Sequence, residues 1–505
     1  MSTQTVPDNP VQSLPRVLGF WMAVCVVIGT VIGSGIFKKP QAVSEGVPEF
    51  GLVMSVWVLG GLLALMGGMV LAEVAVLYPR AGGNYVFLKE SYGRWAGFLF
   101  GWVEFWIIRS ASIAALATIF SESLHDVIRA AQGTTAEIIP FWPRQLVTCG
   151  VIGGLALVNA RGTRLGGGLQ VFLTVVKALS LLAILALPFV VWALVQNPSA
   201  LPEFSRLPPV WPSDWGAVNW SKFGGALVGV LWAYHGWMNI APVAEEIKNP
   251  SRNLPLALII GVLALIALYL GANVAYYLVL PREEIAVAKE TTVFNVFSVR
   301  LLGAIGGMVA SAAVMTSVFG ALNGNLLVGP RLLFAMSRDR LAPRPLSQVH
   351  AIFQTPTPAI LVLTTWSIIV VVVAAALTKF RLPVPNLFGY DLDLNVPEGK
   401  ALFDVVTDFA MFGAVTFETL AVASIFIVRW RYPVKQVALP YRCRLYPLLP
   451  LLYVSIMALV LFNMFTTQRT EALVGLGFIA AGAAVYAVVR GRMAGEGVTV
   501  GDGQT

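Results

Sequence analysis

Lys177 stands in the apolar run LQVFLTVVKALSLLAIL, with no acidic residue near it in sequence. An ammonium in such a run has two chemical uses. Backbone carbonyls can hold it as a fixed positive charge, the electrostatic equivalent of a bound sodium ion, or it can give up its proton and act as a proton carrier, because burial disfavours the charged form. The structural alternative is a side chain that snorkels to a helix end. Five further ionisable residues lie in apolar stretches: Glu73, Glu104, Arg109, His235 and Glu418. Each is costly in hydrocarbon and is by default a functional candidate. Glu104 and Arg109, five apart in WVEFWIIRSAS, read as a structural ion pair, as snorkelled side chains near the helix ends, or as partners of other helices. Glu73, just before YPRAGGNY, reads as a gating or loop-stapling acid, and Glu418 as a packing partner for a polar group. His235 is either a satisfied polar residue or one that contacts a ligand or titrates near neutral pH.

Two stretches weaken any helix that contains them. VIGTVIGSGIF, residues 27–37, places Gly29, Gly33, Ser34 and Gly35 in an otherwise apolar helix. VLWAYHGWMNI, residues 230–240, places Gly236 among polar and aromatic residues, with Pro242 just beyond. Unwound backbone in hydrocarbon exposes N–H and C=O groups, so it persists only where it lines a cavity or meets a ligand. Glycine lets the backbone approach that ligand closely. The N-terminus of a half-helix offers N–H groups to an anion, and the C-terminus of another offers carbonyls to a cation. A ligand with a carboxylate and an ammonium on one carbon, an α-amino acid, uses both. Weak points in the first helix of each of two halves are the mark of an inverted repeat. Taken alone, the first stretch also fits close helix packing through the small-xxx-small spacing of Gly29 and Gly33.

The elements that must position these residues are membrane helices. The 505 residues are 57% hydrophobic and only 12% charged, with a mean hydropathy of +0.77, whereas soluble domains carry about a quarter charged residues. Apolar runs long enough to cross the hydrocarbon recur along the whole chain, which excludes a soluble domain with one anchor. The pattern predicts an all-α integral membrane protein with twelve transmembrane helices near 17–38, 49–78, 93–121, 145–160, 167–195, 222–244, 255–280, 300–337, 357–378, 405–430, 448–465 and 471–490. One domain is expected over 17–490, made of a first repeat at 17–195, a second at 222–430 and two further helices at 448–490. Short cytoplasmic tails at 1–16 and 491–505 flank it, and the first of them lacks the features of a cleaved signal peptide.

The net charge of +8 raises nucleic acid as a partner, but the chain has no motif for it. Lys and Arg are concentrated in the loops on the side of both termini, which places the termini in the cytoplasm. The basic stretch of Arg429, Arg431, Lys435, Arg442 and Arg444 reads as a topology determinant, with a lipid-headgroup site as the sharper alternative. Cys25, Cys149 and Cys443 show neither metal spacing nor a disulfide framework. Three histidines, no nucleophile–base arrangement and no phosphate loop argue against an enzyme. No cofactor or metal is expected. The loops at 196–221 and 379–404 are rich in Pro, Trp and Asp, and fit either covers over an entrance or solvated connections.

The segments GTVIGSGIF, EVAVLYPRAGGNYVFLKESYG, WVEFWIIRSAS, GVLWAYHGWMNIAPVAEEIKNPSRNLPLAL and SVFGALNGNLLVGPRLLFAMSRDR occur in this order. In order and spacing they resemble the L-type amino acid transporters of the amino acid/polyamine/organocation superfamily, as a prokaryotic-like member without a heavy subunit. The resemblance runs almost continuously through eight helices and fades after about residue 360. It implies twelve helices in a five-plus-five inverted repeat, helices 1 and 6 unwound at the midplane, alternating access, and a neutral amino acid bound between those two helices. Val31, Ser34 and Gly35, with Gly33 between them, match positions that hold the substrate carboxylate through backbone N–H groups. Trp232 and His235, with Ala233 and Tyr234 between them, match the segment that closes over the substrate and accepts its ammonium. Asn323 matches a polar residue lining the site, and Lys177 matches the lysine that replaces sodium in sodium-independent members. His235 departs from the small residue common in such a segment. The outer loop between the third and fourth helices has no cysteine, so no disulfide-linked heavy subunit is expected.

These readings converge on sodium-independent transport of neutral L-amino acids across the cytoplasmic membrane, by exchange or proton-coupled symport, with the amino acid and the lipid bilayer as partners. A polyamine or cationic amino acid transporter is the alternative, with Glu104 as its acid. A non-transporting amino acid sensor is the alternative from another class.

Overall fold

The computed structural model describes residues 13–495 apart from 135, 196–201, 289–290, 380–385, 388–389, 392–401, 434–438 and 468. The expected tails at 1–16 and 491–505 and the loop at 379–404 therefore lie largely outside the described residues. The first half consists of α1 Phe20–Val31, α2 Gly35–Gly46, α3 Phe50–Leu77, α4 Asn84–Tyr92, α5 Arg94–Val103, α6 Ser110–Gln132, α7 Phe141–Ala160 and α8 Thr163–Val195. The second consists of α9 Trp220–Tyr234, α10 Pro250–Val279, α11 Arg282–Val287, α12 Val293–Leu302, α13 Ala304–Val328, α14 Pro330–Arg338, α15 Thr357–Lys379 and α16 Leu402–Arg431; α17 Leu448–Thr467 and α18 Arg469–Gly495 follow. A π-turn over Glu104–Arg109 joins α5 to α6, and a 3-10 segment, Trp237–Glu246, follows α9. Strand structure among the described residues is confined to the two-residue ladder of Asn386–Leu387 with Tyr390–Asp391 and one isolated bridge, Leu18 with Ile247.

Among the described residues, ten helices are long and apolar enough to cross a membrane, or eleven when the bent pair α1 and α2, inclined by 43°, counts as one span. The segment expected over 222–244 falls outside that count because its α-helix stops at Tyr234 after 15 residues. Peripheral helices present apolar side chains outward, as Leu146, Phe172, Leu459 and Phe462 do. This is what a lipid-facing surface requires. The centre is built on α1, which packs on α8, α10, α13 and the 3-10 segment, while α2 packs on α9. Gly51 at the start of α3 donates its N–H to Val210 O at 2.7 Å, so the described part of the 196–221 loop lies over that helix end.

Candidate functional site

α1 stops where the glycines begin. Ile32 turns extended, with ψ 92°, and α2 restarts at Gly35, with Ser34 giving no side-chain cap. A restarted helix has no preceding turn for its first N–H groups to bond. The carbonyls that α1 leaves behind are claimed by other elements. Lys177, buried on α8, donates from Nζ to Gly29 O at 2.7 Å and Ile32 O at 2.6 Å. Ser317 Oγ donates to the same region, 3.1 Å from Gly33 O. The Lys177 side chain thus reaches the carbonyls of α1 and does not snorkel to a helix end.

The second break lies against the first. α9 ends at Tyr234, His235 is extended, and Gly236 takes φ +102°, a left-handed conformation that favours glycine. Thr30 Oγ1 on α1 reaches Gly236 O at 3.2 Å. The Tyr269 hydroxyl on α10 lies 3.2 Å from Val31 O and 3.1 Å from Ala233 O, so one side chain spans both breaks. Gly35 sits so close that a Cβ there would stand 2.7 Å from Ala233 Cα. Trp232 stacks on His235 with ring centroids 5.8 Å apart and planes 4° from parallel. Tyr234 turns away from that pair, packing on Tyr269 and Trp57.

Beyond His235, a cavity of roughly 30 Å³ is lined by Glu104, Arg109, His235, Asn239 and Glu418 among others; it has room for about one water molecule. The π-turn explains how Glu104 and Arg109 meet. Residues five apart diverge on an α-helix but come together where bonding runs i to i+5. Arg109 Nε donates to Glu104 Oε1 at 2.9 Å, and its terminal nitrogens donate to Glu104, to Asn325 Oδ1 at 2.5 Å and to Asn239 Oδ1 at 2.9 Å. His235 Nδ1 stands 2.7 Å from Glu418 Oε1.

Other sequence candidates lie elsewhere. Glu73 accepts from Arg429 Nε at 2.9 Å and from Cys443 N at 2.7 Å, which staples α3 to α16 and the segment after it. Arg429, read from sequence as a topology or lipid charge, is thus an internal partner. Asn323 donates to Gln170 Oε1 at 2.8 Å and accepts from Asn159 Nδ2 at 3.0 Å, so its amide ties α13 to α8 and α7 rather than lining the cavity.

Sequence reasoning did not single out Thr30, Tyr269, Ser317, Asn239 or Asn325, polar residues inside apolar helices. It also passed over a buried latch at the end of the 3-10 segment. Arg331 pairs with Glu246 at 2.8 Å, both side chains fully buried, and Thr163 donates to Glu246 at 2.7 Å. The neighbouring Glu245 accepts from Leu14 N, Ala81 N and Arg338. Leu18 bridges in parallel to Ile247 beside them. The N-terminal segment, α8 and α14 are therefore tied together at this end of the molecule. The signal was available, since Arg331 falls inside the predicted span 300–337.

Comparison with known proteins bears on this geometry. A family model described as amino acid permease matches residues 18–489. The chain is 30% identical over 485 residues to the serine/threonine exchanger SteT of Bacillus subtilis (strain 168), covering 95% of this chain and 98% of that relative. It is 30% identical to the b(0,+)-type amino acid transporter 1 of Homo sapiens, covering 69% and 68%. With the Asc-type amino acid transporter 1 of Mus musculus it shares 27% identity, covering 94% and 81%.

Proposed function

The chain belongs to the amino acid permease family, and we propose that it moves neutral L-amino acids across the cytoplasmic membrane by alternating access, without sodium. The observation that carries this reading is the pair of facing helix breaks with the Lys177 ammonium seated in the carbonyls of the first. A fixed cation at that position does what a bound sodium ion does electrostatically. It leaves the substrate to bind through the backbone: its carboxylate at the N–H groups of Gly33, Ser34 and Gly35, its ammonium at the carbonyls near Val31 and along Trp232–Tyr234. Trp232 and His235 close over it, and Asn323 acts through Gln170 and Asn159 to hold α8 against α13.

With α1 and α2 taken as one span, and α9 and its 3-10 continuation as another, the helices number twelve, arranged as two inverted repeats over 17–195 and 222–430. Both termini are cytoplasmic. The loop between α6 and α7 has no cysteine, so the protein works without a disulfide-linked second subunit. A relative that covers most of the chain is named for serine and threonine, which favours small neutral amino acids. The polyamine alternative needs an acid free to meet a second ammonium. Glu104 is bonded to Arg109 and Glu418 faces His235, so neither answers to that description.

Equilibrium binding of labelled serine to the purified protein tests this reading. Binding is expected to be the same in choline and sodium buffers and to be displaced by alanine and threonine but not by putrescine. A requirement for sodium, or displacement by putrescine at least as effective as by threonine, would overturn it.

A further inference from the structure

We propose that the facing side chains of His235 and Glu418 form a proton-binding site that takes up one proton for each amino acid carried. The proposal rests on the transport reading above and adds the coupling ion. The two groups stand 2.7 Å apart and both line the cavity directly beyond the second helix break.

The charge balance of that cavity identifies the proton as the missing component. Glu104 is neutralised by Arg109, which also donates to Asn325 and Asn239. Lys177 is committed to Gly29 O and Ile32 O, on α1. Tyr453 on α17, the other titratable group facing Glu418, is neutral in its acid form and brings no positive charge. Tyr234, next to His235 in sequence, packs toward Trp57 and Tyr269 instead. With a neutral imidazole the cavity therefore holds one uncompensated carboxylate, and with an imidazolium it holds none. Buried unpaired charge is strongly disfavoured, whereas a paired and hydrogen-bonded one is tolerated. Acid thus favours the closed His235–Glu418 contact and base favours its loss.

Position supplies the coupling to movement. His235 is the first residue past the end of α9 and precedes Gly236, whose left-handed conformation marks the break between α9 and the 3-10 segment. Glu418 lies inside the continuous helix α16. A change in the break alters the His235–Glu418 distance, so the proton is held while the two groups touch and released from the imidazole nitrogen when they part. No other bond is made or broken. Trp232, stacked on the imidazole, transmits occupancy of the substrate position to the same ring. Lys177 lies apart from this pair, with its Nζ on Gly29 O and Ile32 O of α1.

The test uses the wild-type protein in sodium-free proteoliposomes containing a trapped pH-sensitive dye. Adding serine outside is expected to acidify the lumen with serine uptake, and an acid-outside gradient is expected to drive uptake into vesicles without internal amino acid. His235→Gln and Glu418→Gln are each expected to abolish the lumenal acidification and the response to the gradient. Serine counterflow in loaded vesicles, combined with no serine-driven acidification and no gradient-driven uptake in vesicles without internal amino acid, would overturn the proposal while leaving the transport reading intact. Acidification that persists in both variants would overturn it as well. Should either variant fail to fold, calorimetry of serine binding to the wild type in two buffers of different ionisation enthalpy decides the matter: proton uptake on binding is expected, and its absence refutes the site. Absence of counterflow itself counts against the transport reading instead.

Discussion

Lys177→Ala is expected to lower amino acid uptake by at least about 30-fold in sodium-free proteoliposomes. The ammonium satisfies Gly29 O and Ile32 O, two carbonyls left by the end of α1. A buried acceptor left without a partner costs ~1–3 kcal/mol, so removing both bonds costs about 2–6 kcal/mol in the arrangement that presents the N–H groups at Gly33–Gly35. Ser317 Oγ also reaches Ile32 O, at 3.3 Å, and recovers part of this at that carbonyl, while Gly29 O is left without its partner. The measurement is initial uptake at equal amounts of folded protein. Wild-type rates in the alanine variant would remove Lys177 from its role as a substitute for sodium.

Arg331→Met carries the largest expected effect on stability. Arg331 and Glu246 are both fully buried, and the guanidinium reaches both carboxylate oxygens, with Nε 2.8 Å from Oε1 and a terminal nitrogen 3.0 Å from Oε2. Removing one partner of such a pair costs ~3–5 kcal/mol because the other is left charged and desolvated. A marked fall in unfolding temperature and in the yield of monodisperse protein is expected, read by fluorescence-detected thermal unfolding. Combining Arg331→Met with Glu246→Leu removes both charges and is expected to restore most of the loss, since a buried pair replaced by apolar groups is often near neutral. An unchanged single variant would show that the latch bears no load.

The large features were legible where the residue type alone forces an outcome. Glycines in VIGTVIGSGIF and the Gly236 position have no stabilising role inside a helix, so the breaks were visible, and both are found within a residue or two of their expected places. Lys177 was legible because an isolated ammonium among apolar residues has few possible partners other than carbonyls. The Glu104–Arg109 pair was only half legible: the spacing of five does not fit an α-helix, and the π-turn that brings the two together is a property of the folded bundle. The His235–Glu418 and Glu73–Arg429 contacts join residues far apart in the chain, and no local pattern announces them. Asn323 illustrates the limit of reasoning by resemblance. It was read as a polar residue lining the site, and its amide is bonded to Gln170 and Asn159.

The central claim is that the two facing breaks hold an amino acid and pass it across the bilayer with Lys177 in place of sodium. Counterflow tests it most directly: vesicles containing the purified protein are loaded with unlabelled serine, placed in choline medium, and given labelled serine outside. Transient accumulation of label above the external concentration, unchanged when sodium replaces choline, is the predicted result. Serine that binds without crossing would make the protein a sensor, and accumulation that appears only with sodium would contradict the role given to Lys177.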